Sequence, residues 1–191
     1  MLTNTVPPLK ELVPVTPRGE ATRKKLLASA EVEFGSKGFP AASVSSITQR
    51  AEVGQGTFYL YFHSKEEVFA TLVREIGALF CQQVEALTGT ADSLKESERL
   101  LALTLGGFVV EQTSRHRILR EAQFIDPPVF RETLEKLLAS IARVLGSAGR
   151  KSDLTLRAAA LLGAAEQAAL LQSLWGGKPL GKSFTEAVFA A

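Results

Sequence analysis

From Glu20 onward, apolar residues recur every three or four positions, and no stretch alternates residue by residue. That period lines one side of a helix, whereas a half-buried strand repeats every second residue. The pattern predicts an all-α chain. Leu26, Leu27, Ala30 and Phe34 share a face of a first helix, and Gly38 in "GSKGF" is its expected left-handed stop. Ser43 is placed to cap a short second helix with Val44, Ile47 and Ala51 inward. A third helix is expected over residues 55–62, and a long fourth from about Lys65 with Val68, Phe69, Leu72, Val73, Ile76, Phe80, Val84 and Leu87 as its stripe. "TGTADS", residues 88–93, reads as a loop. Leu101, Leu105, Phe108 and Val109 mark another helix, and "RHRILREAQF" a shorter one stopped by Pro127 and Pro128. Phe130, Leu134, Leu137, Leu138, Ile141 and Leu145 mark the next, followed by a nearly all-apolar one over residues 153–175 and a short last one over 183–191. Pro7, Pro8, Pro14 and Pro17 forbid a long helix and favour an extended arm up to about residue 18. The expected division is an arm over 1–18, a three-helix unit over 19–64 and a larger helical unit over 65–191.

With 191 residues, 46% of them apolar and 22% charged, the chain can bury a core. Its net charge of +2 excludes a polycation, so any grip on an acidic polymer must come from local arrangement. The single cysteine, Cys81, permits no intramolecular disulfide, which fits a reducing compartment. Cys81 borders an apolar stripe and is expected to pack. The first twenty residues hold no continuous apolar run. The longest apolar stretch is interrupted by Arg157, Glu166, Gln167 and Gln172, so no membrane span is expected. Those features predict a cytoplasmic protein.

The segment "AEVGQGTFYLYFHSKEE", Ala51 to Glu67, mixes residues that neither a core helix nor a solvated one would choose. At about 100° per residue, Phe58 and Phe62 point together into a core, and Gly56 and Leu60 point away. Tyr59 flanks the outer face on one side, and Thr57 and Tyr61 lie on the other. The outer face is nearly bare backbone with hydroxyls at its edges. A DNA major groove admits such a helix, and its phosphate rims accept hydrogen bonds from Thr and Tyr. Lys65 and the first-turn amides of the fourth helix are candidates for a further phosphate. Ser43 and Ser45, at the start of the second helix, join the candidate set. Gln55 and Leu60 are the candidates for base reading, through adenine and a thymine methyl respectively. The second helix, the turn "EVG" and the third helix then form a helix-turn-helix.

The ordered set "TRKKLLASAEVEFGSKGF…ASVSSITQRAEVGQGTFYLYFHSKEEVF" resembles the DNA-binding domain of TetR-type transcriptional regulators over about residues 22–72. The resemblance implies a homodimeric regulator with a three-helix DNA-binding domain. It also implies a C-terminal domain that binds a small effector and the second subunit. It gives Thr57, Tyr59, Tyr61 and Lys65 contacts with operator phosphates or bases. The chain departs from that pattern at Glu52, where the turn commonly has Gly, and at Gly54, where Ser or Thr usually caps the recognition helix. Gln55 replaces a frequent Lys or Arg. Lys10, Arg18, Arg23, Lys24 and Lys25 are expected to compensate by reaching flanking DNA from the arm.

In the larger unit, Phe80, Leu105, Phe108, Phe124 and Leu138 are the expected walls of an apolar effector pocket, with Gln112, Arg120, Glu121 and Gln123 as polar anchors or solvated side chains. The all-apolar helix needs cover on several sides. Burial within one subunit is weighed against a dimer interface, which the resemblance favours, at Leu161, Ala165, Ala168, Ala169, Gln172 and Trp175. His63 and His116 are expected at the surface or in loops, with no metal site. No nucleophile elbow, phosphate loop or spaced acid pair is found, so no catalytic residue and no cofactor are expected. The resulting reading is a ligand-responsive repressor, released from a palindromic operator by a small lipophilic effector. The partners it implies are double-stranded DNA, a second copy of the chain and that effector. The competing reading is a helical lipid-binding or protein-interaction module, which leaves Gly56, the flanking hydroxyls and Lys65 unexplained together.

Overall fold

The computed structural model describes residues 16–149 and 153–175, the last four by backbone alone. The arm before Thr16 and the helix expected over 183–191 lie outside the described residues. Among the described residues there are eight helices and no strand. The chain divides into two compact units at Phe69/Ala70.

The first unit holds α1 (Pro17–Lys37), α2 (Val44–Arg50), α3 (Gln55–Phe58) and the first turn of α4 (Lys65–Glu85). Helix α1 starts earlier than the proline count suggested. Thr16 accepts a hydrogen bond from the Gly19 amide, and Pro17 sits at the first helical position, where its missing N–H costs nothing. Gly38 ends α1 at a φ of 83°, as its expected role requires. Leu26, Ala30, Phe34, Ile47, Phe58, Phe62, Val68 and Phe69 are buried and form the core. Phe34, Phe39 and Phe69 pack ring to ring with centroids 4.9–5.6 Å apart. Val68 and Phe69 therefore belong to the first core, and the division falls within α4 rather than before Lys65.

The second unit holds the rest of α4 with α5 (Leu94–Glu111), α6 (Thr113–Ile125), α7 (Pro127–Ser147) and α8 (Leu154–Trp175). Ser93 caps α5 through the Glu96 amide, and Asp126 caps α7 through the Val129 amide, with Pro127 at its first turn. Helix α8 packs chiefly on α5 and α7. By length and composition its residues 154–171 would pass for a membrane span. Its Arg157 is nevertheless paired within the unit. Arg157 donates to Glu98 on α5 through two nitrogens, at 3.0 and 3.2 Å. Glu98 is buried, so this fork is a directional tie between the two helices. Gly77 on α4 lies so close to Thr133 on α7 that a Cβ there would overlap the Thr133 methyl group.

Candidate nucleic-acid interface

Ser43 caps α2 by a reciprocal pair: its Oγ accepts from the Ser46 amide, and Ser46 Oγ accepts from the Ser43 amide. Ser43 and Ser45 are both exposed. After α2 the chain turns through Ala51 and Glu52, and the Val53 amide donates to the Thr48 carbonyl. Glu52 takes a φ of 54°, the left-handed region in which a Cβ is disfavoured. Its carboxylate accepts a 2.9 Å bond from Lys25, and that bond holds it below the usual carboxylate range. Gly54 caps α3 without any side-chain bond.

Helix α3 is shorter than the expected 55–62. It ends at Phe58, and residues 59–61 form a tighter turn in which the Leu60 amide donates to Thr57 and the Tyr61 amide to Phe58. The cause is local. Gly54 adds no side-chain cap, and two core aromatics four residues apart fix the segment at Phe58 and Phe62. The outward set survives the shorter helix. Gln55 and Gly56 are exposed, Tyr59 is 53% exposed and Leu60 69% exposed. Thr57 and Tyr61 are half-buried at the edges. A Cβ built at Gly56 would meet nothing within 4 Å, so no packing demand accounts for glycine there. Phe58 and Phe62 are buried.

Lys65 differs from its expected role as a phosphate donor. Its ammonium does not project as a free phosphate donor. It donates to the Phe39 carbonyl at 2.9 Å and the Ala42 carbonyl at 3.0 Å, and lies 4.1 Å from the centre of the Phe39 ring. Two of its three N–H groups are spent on the loop between α1 and α2, so Lys65 positions the helix-turn-helix from inside. Three of the expected compensating cations are also engaged, while Arg18 is exposed. Lys25 pairs with Glu52, Arg23 stacks over Phe62 at 5.3 Å, and Lys24 lies 3.9 Å from Glu20. Lys10 lies outside the described residues.

Glu33 went unremarked in the sequence. It is buried on α1, 2.7 Å from Lys37 and 2.9 Å from Arg50 of α2. The Lys37 hydrogen bond first, and the Arg50 bond after it, hold its carboxyl down at about 2 despite burial. This buried acid fixes α2 on α1. No periodicity argument finds it, because Glu33 falls beside apolar neighbours on the inward face.

In the second unit, a cavity of about 270 Å³ has Phe80, Leu105, Phe108 and Leu138 among its lining residues, as expected. Phe124 is instead 81% exposed. Gln112 ends α5 and accepts from Arg115, so neither belongs to the lining. Phe124 lies on α6, of whose residues only Ile118 and Ala122 are buried. His116, expected at the surface, lines the cavity with Arg120 and Glu166. The dimer-interface residues Leu161, Ala165, Ala168 and Ala169 are all buried inside the subunit, so their side chains face their own chain rather than a partner. The side chains of Gln172 and Trp175 lie outside the described residues. Among the exposed residues of α8, which also include Thr155, Ala159 and Leu171, the set Leu156, Ala160, Gly163, Gln167 and Leu170 is spaced four and three apart. Cys81 is half-buried, and burial pushes its thiol up, which suits packing rather than reactivity. Among the described residues no cluster of His, Cys, Asp or Glu is suited to a metal.

Residues 26–72 match the family described as bacterial regulatory proteins, tetR family. The chain is 41% identical over 70 residues to an uncharacterized HTH-type transcriptional regulator, YdgC, of Bacillus subtilis, covering 37% of this chain and 36% of that protein. It is 29% identical over 113 residues to the HTH-type transcriptional activator FasR of Mycolicibacterium smegmatis, covering 59% and 51%. The chain thus spans between about a third and a half of these curated relatives. The transcriptional regulator FadR from Bacillus subtilis, solved in complex with stearoyl-CoA, shares the fold at a TM-score of 0.69 and 19% identity, over 86% of this chain and 96% of that one. Residues 26–72 thus form a helix-turn-helix segment of the kind found in the tetR family of bacterial regulatory proteins.

Proposed function

We propose that the protein is a DNA-binding transcriptional regulator that works as a homodimer. In this reading it is a repressor, released from a palindromic operator when a small lipophilic molecule fills the cavity of the second unit. The observation that carries the DNA reading is the outward set Gln55, Gly56, Tyr59 and Leu60, with open space at Gly56 and hydroxyls at the edges. A backbone ridge of this kind lies close to base edges while Tyr59, Thr57 and Tyr61 reach the phosphate rims. Ser43 and Ser45 present hydroxyls from the start of α2. The stripe Leu156, Ala160, Gly163, Gln167 and Leu170 supports the dimer, because two such helices mesh at this spacing and Gly163 lets the backbones approach. Two copies then space their recognition helices for successive major grooves, about 34 Å apart. An effector that favours a different spacing lowers DNA affinity by the ratio of its own affinities for the two states.

The test is a mobility shift with the DNA immediately upstream of the protein's own gene. Specific binding is expected, with a log–log salt slope of roughly −5 for about six phosphate contacts. Tyr59→Phe should weaken it without lowering the unfolding temperature. Equal binding to unrelated DNA at every salt concentration would overturn the regulator assignment and favour the competing reading, a helical lipid-binding or protein-interaction module without sequence-specific DNA binding.

A further inference from the structure

The polar end of the cavity has an arrangement that nothing in the DNA-binding reading requires. Phe80 and Phe108 stack with their ring centres 4.0 Å apart and their planes 15° apart. The Phe108 ring meets the edge of His116, 6.4 Å away. Beyond it, His116 Nε2 lies 3.8 Å from Glu166 Oε1, and Arg120 Nη1 lies 3.6 Å from Glu166 Oε2. Both separations are too long for a direct hydrogen bond. His116 Nε2 is sealed from solvent and has no hydrogen-bond partner. A buried ring nitrogen left unpaired is costly, and an atom that satisfied it would be held strongly.

Resting on the effector reading above, we infer that this cavity selects an uncharged, aromatic, hydroxyl-bearing molecule, a small alkylphenol being the simplest form. An oxygen about 2.8 Å from each of His116 Nε2 and Glu166 Oε1 would bridge their 3.8 Å separation once the ligand displaces the atoms that seal Nε2. A hydroxyl accepts from the imidazole N–H and donates to the carboxylate, which itself can only accept. Glu166 selects the tautomer with the proton on Nε2. The charge balance narrows the class further. Glu166 and Arg120 already pair an anion with a cation. A ligand carboxylate would bring a second anion beside Glu166, and an ammonium a second cation beside Arg120. The Phe80–Phe108 wall favours a ring next to the hydroxyl. The cavity of about 270 Å³ limits the ligand to less than ordinary drug size.

Calorimetric titration of the full-length protein with 4-butylphenol, 4-butylanisole and 4-butylbenzoate tests this. The phenol should bind about tenfold or more tightly than the other two, the worth of one hydrogen bond to a charged group. In His116→Leu the phenol's advantage over the ether should fall to about twofold or less. If that variant fails to fold by circular dichroism, Glu166→Leu reads the same ratio. Equal binding of phenol and ether, or tightest binding of the benzoate, overturns the hydroxyl assignment and leaves an apolar effector cavity standing. Binding by none of the three overturns both. A phenol that binds as expected yet leaves operator affinity unchanged overturns the release step alone, because the titration contains no DNA.

Discussion

Two residues of the helix-turn-helix break local rules in opposite ways. Glu52 carries a side chain where the backbone is left-handed, and only an exposed pair with Lys25 accompanies it. Glycine there relieves the strain, while an exposed pair contributes little. Glu52→Gly should therefore raise the unfolding temperature by a few degrees in differential scanning fluorimetry. Gly56 does the reverse, being helical glycine with room for a side chain. Gly56→Ala should stabilise the fold by up to about 1 kcal/mol through helix propensity. In the same preparation it should weaken operator binding, because the new methyl stands on the ridge. Gain of stability with unchanged DNA affinity would show that the ridge does not touch DNA. Both were legible in the sequence: Glu52 as an acid where the TetR-type turn commonly has Gly, and Gly56 as bare backbone on the outward face. The engagement of Lys65 was not, since a lysine in a first turn looks alike whether its ammonium meets water, phosphate or two carbonyls.

At the scale of elements, helix types and most stops followed from apolar spacing, caps and prolines. What spacing missed was how helices are tied together. Glu33 links α1 to α2 with a carboxyl held at about 2, below its ordinary 4.5. A depressed carboxyl contributes its full stabilisation above the ordinary value, and that stabilisation is lost as pH falls toward 2. The contribution is up to about 3 kcal/mol, less what water screens from the half-exposed Lys37 and Arg50. Thermal unfolding followed from pH 6 down to about pH 2.5 should show a steeper decline for the natural chain than for Glu33→Gln. Parallel curves would remove Glu33 from the account. Gly77 makes a second tie, through close approach rather than charge. Gly77→Ala should cost about 1–3 kcal/mol by overlapping Thr133. Adding Thr133→Ser, which deletes the overlapping methyl, should recover most of it in a double-mutant cycle.

For the whole molecule, the dimer prediction now rests on a different face of α8 from the one its small residues suggested. Alanines and glycine permit close packing on any side, and the sequence does not say which side its own neighbours occupy. The structure gives Leu161, Ala165, Ala168 and Ala169 to the subunit's interior and leaves Leu156 73% exposed. Leu156→Glu combined with Leu170→Glu should convert the dimer to a folded monomer, read by light scattering at micromolar concentration. Unchanged mass would place the interface elsewhere. The cavity's polar end was equally hidden, because His116, Arg120 and Glu166 come from two helices far apart along the chain. Lys65 carries a last consequence, for anyone mapping this protein by alanine scanning. Its two carbonyl bonds brace the loop that orients α2. Its removal will be scored as lost operator recognition, beside Tyr59, although two of its three N–H groups are spent inside the fold. Urea titration separates the two: the lysine variant should melt at lower denaturant, the tyrosine variant at the parental midpoint.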